Sequence, residues 1–419
     1  MRLTLHRPNH TEPWGFAAVR DDTVTVALPE RVVQTWDCAG RWLGGTRGGW
    51  QWRRSYDGKL AGAPTGQPLL GCTGQAQALG VHQESLNDAR QLHQDLSIGA
   101  LRLEPDETAG RATLLSVLER AIHWNLQQAQ LDAIAFTRLY RGGIAVLPED
   151  LRRALYLQLS EGCAWNRCQY CTLYADLPHR SPTISQLRQQ VESVIAWHGA
   201  SMGLRRSLFL GDADILGEGP SYLLAQFQLL AEFFALPAPA KPQGTTSAGL
   251  YPLDAADGFA TARSILACKP AELEALQAHG LRRLYIGVET GHPPLHHAMH
   301  RRDPLTALPG ATKLCHDAGL QVALTVIVGL GGQHYAGGHL RDTTELLEQL
   351  NLRRGDQVSL SPLVIEDGSP YAQAAQQRNE IGFLPDELAR EVRRFHDTLS
   401  QALGPGPRVA PYQIGMSPW

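Results

Sequence analysis

The chain has 419 residues, 43% of them apolar and 19% charged, with a net charge of −3. That composition excludes a disordered chain, and at roughly 150 residues per domain the length allows two domains or three small ones. The near-neutral charge gives no general pull toward nucleic acid or an anionic membrane, no apolar run approaches the ~20 residues that cross a bilayer, and residues 1–8 show no leader core, so a cytoplasmic location is expected.

From the N terminus, Thr23–Leu28, Val32–Asp37 and residues 50–56 read as short strands separated by Gly-rich turns. Five tryptophans fall here (Trp14, Trp36, Trp42, Trp50, Trp52) and are expected to build a small core from large side chains. A polar, Gly- and Gln-rich connector follows, and residues 112–139 carry the periodicity of one helix. Residues 1–150 are therefore read as a β-rich N-terminal domain with a long helix, a recognition or lid element by its position.

Beyond residue 150 strands and helices alternate. Strands are expected at residues 154–159, 207–210, 245–248, 284–288, 322–328 and 358–363. Helices are expected at residues 184–197, 222–234, 271–279, 307–318 and 343–350. Several strands are unbroken apolar runs, as in parallel sheets covered by helices. The pattern predicts an α/β fold, a partial (β/α)6 barrel over residues 151–375, with active residues at the C-terminal ends of its strands. Residues 376–419 would supply a C-terminal helix, Pro385–Leu403, and a Pro- and Gly-rich tail.

The seven cysteines are too few for a disulfide framework, but three of them, Cys163, Cys168 and Cys171, fall within nine residues. They follow the first barrel strand directly. Three thiolates on one loop can hold three irons of a [4Fe–4S] cluster and leave the fourth iron open to a ligand. A zinc site would need a fourth ligand, for which Asp176 and His179 are the nearby candidates. Cys268 and Cys315 stand alone; Cys315 reads as a buried helix position, and a radical-chemistry thiol is the alternative for each. His292, His296, His297 and His300 crowd one segment, where a solvated helix face is expected ahead of a metal site. A Gly-rich stretch at residues 329–332 is not a dinucleotide fingerprint, because His334 stands where the third glycine belongs.

The cysteine motif resembles that of the radical S-adenosylmethionine (radical SAM) superfamily. The usual spacing there is Cys-x3-Cys-x2-Cys. Glu161-Gly162-Cys163-Ala164-Trp165-Asn166-Arg167-Cys168 has one extra residue and is similar to a branch reading Glu-Gly-Cys-Pro-Trp-Asn-Lys-Cys. The resemblance covers about residues 150 to 375. It implies that Cys163, Cys168 and Cys171 ligate a [4Fe–4S] cluster and that S-adenosylmethionine (SAM) binds the open iron. It places Tyr170 near the SAM adenine, and Gly211 and Asp212 at the SAM amino group, with a shorter acid than the usual Glu. Glu289, within Gly287-Val288-Glu289-Thr290-Gly291, would face the ribose or amino-acid end of SAM. Ile327 and Gly329 would reach the adenine through the backbone, although the fifth-strand motif lacks its first Gly and its Glu.

The activity so implied is reductive cleavage of SAM to a 5′-deoxyadenosyl radical that abstracts hydrogen from a small-molecule substrate. An external one-electron donor of flavodoxin or ferredoxin type would supply the electron. Nucleic acid and membrane are not expected as partners. The alternatives are modification of a protein or RNA, transfer of a 3-amino-3-carboxypropyl group, and a non-enzymatic electron-transfer or scaffold protein with a closed metal site. No cobalamin-type Asp-x-His-x-x-Gly motif occurs in the first 140 residues, and no second cysteine group exists.

Overall fold

The computed structural model describes residues 1–20, 22–66, 75–144, 146–151, 153–237 and 250–411. They form two compact units. One gathers residues 1–147 and 191–205; the other gathers residues 148–190 and 206 onward.

The first unit opens with β1 (Arg2–His6), β2 (Gly15–Val19), β3 (Thr23–Leu28), β4 (Val32–Asp37), β5 (Trp42–Arg47), β6 (Trp50–Arg54) and β7 (Leu60–Pro64). Then come α1 (Gln75–Ser97), β8 (Arg102–Glu104), α2 (Thr108–His123) and α3 (Leu126–Leu139). The strands make one antiparallel sheet in the order β7-β6-β5-β4-β3-β2-β1-β8. Alternate residues face inward: Leu3 and Leu5 of β1, with Val24 and Val26 of β3, meet Leu92 and Leu96 of α1 and Leu114 and Val117 of α2.

Two helical readings need correction. The polar connector holds α1, whose Leu86, Ala89, Leu92 and Leu96 are buried at helical spacing while Gln and Asn fill the rest. The single helix expected over residues 112–139 is two, because the Asn125 side chain accepts the Gln128 N–H at 2.9 Å and starts α3 afresh. Of the tryptophans, Trp36 and Trp42 are core residues and Trp14 and Trp52 lean on that core. Trp50 is exposed and stacks on Trp52.

The second unit begins with β9 (Ala154–Gln158), α4 (Ile184–His198), β10 (Ser207–Gly211) and α5 (Pro220–Leu230). Only the first turns of α4 belong to this unit. A small pair, β11 (Phe234–Ala235) and β12 (Tyr251–Pro252), precedes β13 (Ala256–Phe259), α6 (Ala262–Leu266), α7 (Pro270–Ala278) and β14 (Leu281–Glu289). The chain continues through α8 (Pro293–Ala298), α9 (Leu308–Asp317), β15 (Gln321–Val328), α10 (Gly332–Glu348) and β16 (Gln357–Pro362). It ends in α11 (Pro370–Gln377), α12 (Pro385–Leu403) and β17 (Arg408–Pro411).

Seven strands form an all-parallel sheet, β17-β16-β15-β14-β13-β10-β9, whose first and last members do not pair, as in a partial barrel. Residues 322–328 of β15 are buried throughout, which is why this strand reads as a continuous apolar run. The strand expected at residues 245–248 lies outside the described residues. The third place in the sheet belongs to β13, whose sequence Ala-Asp-Gly-Phe carries little strand signal. The tail after Pro385–Leu403 is not structureless either, since β17 extends the sheet beyond β16. Among the described residues no helix is long and apolar enough to cross a membrane.

Candidate active site

The cysteine loop leaves the C-terminal end of β9. Its ends are tied together: Glu161 and Arg180 exchange backbone hydrogen bonds, and the Arg180 guanidinium grips the Glu161 carboxylate at 2.7 and 3.0 Å. Gly162 has a φ of +71°, and a Cβ there would strike the Leu177 carbonyl, so only glycine suits this turn. Within the loop the Asn166 side-chain amide donates to the Tyr174 carbonyl at 2.6 Å, and the Asn166 N–H points at Cys163 Sγ at 3.4 Å. The Trp165 indole donates to the His300 carbonyl and the Gln169 N–H to the Met299 carbonyl, binding the loop to the segment after α8.

The register of the sheet brings the expected residues to one end. Gln158 pairs with Gly211 across β9 and β10, and Glu289 with Val326 across β14 and β15. Each stands at the last turn of pleat before a loop, the rim where α/β sheets bind ligands. Glu289 has a φ of +62° beside an irregular register, the kind of backbone strain that concentrates at functional sites.

Cys163, Cys168 and Cys171 are all half-buried and free of disulfides. Burial pushes the Cys171 thiol up to about 12, and the charges of Cys168 and Cys163 push the same way. Burial also raises Cys168, while the adjacent Arg301 guanidinium pulls it down. Three soft thiols on one loop fit an iron–sulfur cluster, three of whose irons they would hold. Among the described residues no group of three or more His, Cys, Asp and Glu side chains could hold a single metal ion. A cluster spaces its ligands more widely than one ion does, because each thiolate meets its own iron. The candidate zinc ligand His179 is turned to Glu218, at 3.1 Å.

Arg301 is the residue that sequence reasoning missed. Its Nη1 donates to the Tyr170 hydroxyl at 2.9 Å, its Nη2 to the Gly287 carbonyl, and it lies 3.7 Å from Glu289. Its Nε is buried without a partner among the described residues. Burial would lower its pKa, but Tyr170, Glu289 and Cys168 outweigh that and raise it. Burial pushes Glu289 up, while Arg301 and hydrogen bonds from Tyr170 and Thr325 pull it down. Tyr170, Glu289, Arg301 and Cys168 are thus one contiguous group. The available signal was an arginine doublet, Arg301-Arg302, just past the histidine-rich segment.

Asp212 is buried and fully committed. Its carboxylate accepts the Tyr156 hydroxyl, the Gln158 amide at 3.3 Å and the Gly162 N–H at 2.8 Å. Burial raises it to about 6 against those donors. It therefore clamps the start of the cysteine loop onto β9 and β10. A Cβ at Gly211 would collide with the Tyr156 hydroxyl, so glycine lets Tyr156 reach Asp212. Asp214, two residues on, is held by Thr261 and Ser264, each at 2.9 Å.

Ile327 shares an apolar cluster with Leu295, Met299, Leu330 and Tyr371, against which Tyr170 packs. Its carbonyl accepts from His339 Nε2 at 3.0 Å, and Gly329 follows on the turn into α10. His339 is buried, and burial holds its pKa down to about 4 from 6.5. The unfolded chain then takes up a proton between those values that the folded chain refuses, so this contribution is whole above pH 6.5 and is lost as pH falls toward 4. The loss reaches about 3 kcal/mol. In His339→Gln the urea midpoint of the apo-protein should fall less between pH 7 and pH 4.5 than in wild type. An equal fall in both would assign the acid sensitivity elsewhere.

The remaining candidates make no side-chain hydrogen bond to Tyr170, Glu289 or Arg301 among the described residues. His297 and His300 are exposed, and His292 bonds Asp342 at 2.5 Å. Cys268 and Cys315 are buried, with thiols pushed up by burial to about 11 and about 12.

Residues 157–347 match the model of the Radical SAM superfamily. No curated protein sequence is similar enough to be matched. Among solved structures, the cobalamin-dependent S-adenosylmethionine radical enzyme OxsB is 16% identical, with a TM-score of 0.36, over 58% of this chain and 31% of that one. Coproporphyrinogen III oxidase (HemN) from Escherichia coli, a radical SAM enzyme, is 14% identical with a TM-score of 0.40, over 59% of this chain and 52% of that one. Methylornithine synthase (PylB) is 13% identical with a TM-score of 0.39, over 62% of this chain and 72% of that one. The chain thus spans about a third of OxsB and about half of HemN. Residues 157–347, a little under half of the chain, thus carry a domain of the radical SAM superfamily, whose members use a [4Fe–4S] cluster and SAM.

Proposed function

We propose that the chain is a radical SAM enzyme that acts on a small-molecule substrate, with Cys163, Cys168 and Cys171 as the three cluster ligands. The observation that carries this reading is that one loop holds all three thiols and is joined through Tyr170 to Arg301 and Glu289 at one end of the parallel sheet. Bound there, the cluster and SAM together supply one-electron cleavage of the S–C5′ bond, giving methionine and a hydrogen-abstracting 5′-deoxyadenosyl radical. The electron comes from an external flavodoxin- or ferredoxin-type donor.

The chain's own part is positioning and exclusion of water. Arg301 offers a fixed cation to a carboxylate, and its orphaned Nε is a donor in want of an acceptor. Glu289 offers a carboxylate to hydroxyl or ammonium donors. Tyr170 and Ile327 give an apolar wall on which an adenine can pack, while Gly329 lets the chain turn away beside it. Asp212 and Gly211 act on SAM through the loop and strand end that they fix. A small substrate suits a chain whose composition offers no polyanion-binding surplus of Lys and Arg, 38 against 41 acids.

Anaerobic protein with a full cluster, given dithionite and SAM, should release 5′-deoxyadenosine and methionine. Methylthioadenosine in their place would mean cleavage at the Cγ–S bond. The 3-amino-3-carboxypropyl reading would then replace this one.

A further inference from the structure

The first unit contains a cavity of about 500 Å³ that the proposed chemistry leaves unused. Trp42, Leu60, Leu79, Leu126 and Ile134 make its walls largely apolar. The volume is that of a small-molecule pocket, for which roughly 300–1,000 Å³ is usual. Arg54 lies in the same wall and is only 6% exposed. One of its donors, Nη2, bonds the Ala129 carbonyl at 3.1 Å.

Among the described residues, no carboxylate stands within ion-pair distance of this guanidinium. The two acids whose charge reaches it, Asp132 and Asp37, are engaged by Arg41 at 3.0 and 3.6 Å. Three other polar wall groups have partners of their own. Lys59 pairs with Asp57 at 2.8 Å, His82 Nε2 bonds the Trp124 carbonyl at 2.9 Å, and the Trp42 indole donates to Gln34 at 2.8 Å. A buried cation without a counter-ion is costly. An apolar cavity that ends on such a cation has the chemistry of a site for an amphiphilic anion.

We propose that this cavity binds a small monocarboxylate with an apolar body. The carboxylate meets Arg54, whose planar fork matches its two oxygens, and the body lies against Trp42, Leu60 and Leu79. The site is independent of the cluster and of SAM.

Calorimetric titration of the full chain with octanoate and with octanol tests this. Octanoate should bind at about one per chain and at least tenfold more tightly than octanol, as a charge-assisted contact implies. Arg54→Gln keeps a donor for the Ala129 carbonyl but removes the charge, so octanoate should bind it no better than octanol. Ala133→Phe fills the cavity from α3 and should abolish binding of both probes. Where Arg54→Gln does not fold, as circular dichroism would show, the wild-type pair and Ala133→Phe decide. No octanoate binding at millimolar concentration, equal affinity for the two probes, or full binding in Ala133→Phe would overturn the proposal.

Discussion

Anaerobic reconstitution of the wild-type chain should yield about four irons and four sulfides per chain, and any one of Cys163→Ala, Cys168→Ala or Cys171→Ala should abolish a stable cluster. The effect is expected to be large because, in the proposed assignment, each thiolate would be the sole protein ligand of one iron, and two remaining bonds would not hold the cluster against solvent. Cys38→Ala, Cys72→Ala, Cys268→Ala and Cys315→Ala should load like wild type. Cys268 and Cys315 are buried protonated thiols away from the loop, and Cys268 already bonds the Ser264 carbonyl at 3.3 Å. Iron analysis with the visible absorption of the cluster reads the result. A full cluster in the triple variant would remove the basis of the assignment.

Arg301→Met should be the most damaging single change to the rim outside the cysteines. It leaves Glu289, which is 7% exposed, without its cation, and breaking a buried pair on one side costs about 3–5 kcal/mol. Glu289→Gln paired with Arg301→Met removes both charges and should recover much of that loss. The interaction free energy from this cycle, read by urea unfolding of the apo-protein, separates charge coupling from packing. Additive single effects would show that the pair is not coupled. In the loaded protein, Arg301→Met should also weaken SAM binding, whereas Lys at this position should restore part of it as a cation without the fork.

Arg301 also shows where sequence reasoning reached its limit. Cys163, Cys168 and Cys171 could be proposed from sequence because one loop carries all three, so their spacing is local. Tyr170, beside the last cysteine of that loop, and Glu289, in a strand-end motif, were likewise proposed from local motifs. Arg301 gains its meaning only from Tyr170, 131 residues away, and from the Gly287 carbonyl. Its segment reads as a solvated face because nothing local says that the guanidinium turns inward.

Asp212 makes the same point from the other side. Its place after a strand marked it as a rim acid, but its partners, Tyr156, Gln158 and Gly162, come from β9 and the loop that follows it. Only the parallel register of β9 with β10 brings them to its carboxylate. That register makes Asp212 a clamp on the cysteine loop.

What the sequence determined by itself was periodic or local: the apolar runs of the parallel strands, the alternation of strand and helix, and the spacing of the cysteines. Tertiary structure decided whatever depends on partners distant in the chain. It made a strand of Ala256–Phe259, whose own residues favour none, because β10 and β14 supply both its neighbours. It added β17 through the exposed edge of β16, and it split one periodic helix at Asn125 by a cap only a few atoms in extent. The physical reason is common to these cases. Side-chain patterning records which face is buried, whereas hydrogen-bond and charge partners across strands are set by register and packing, which no window of sequence contains.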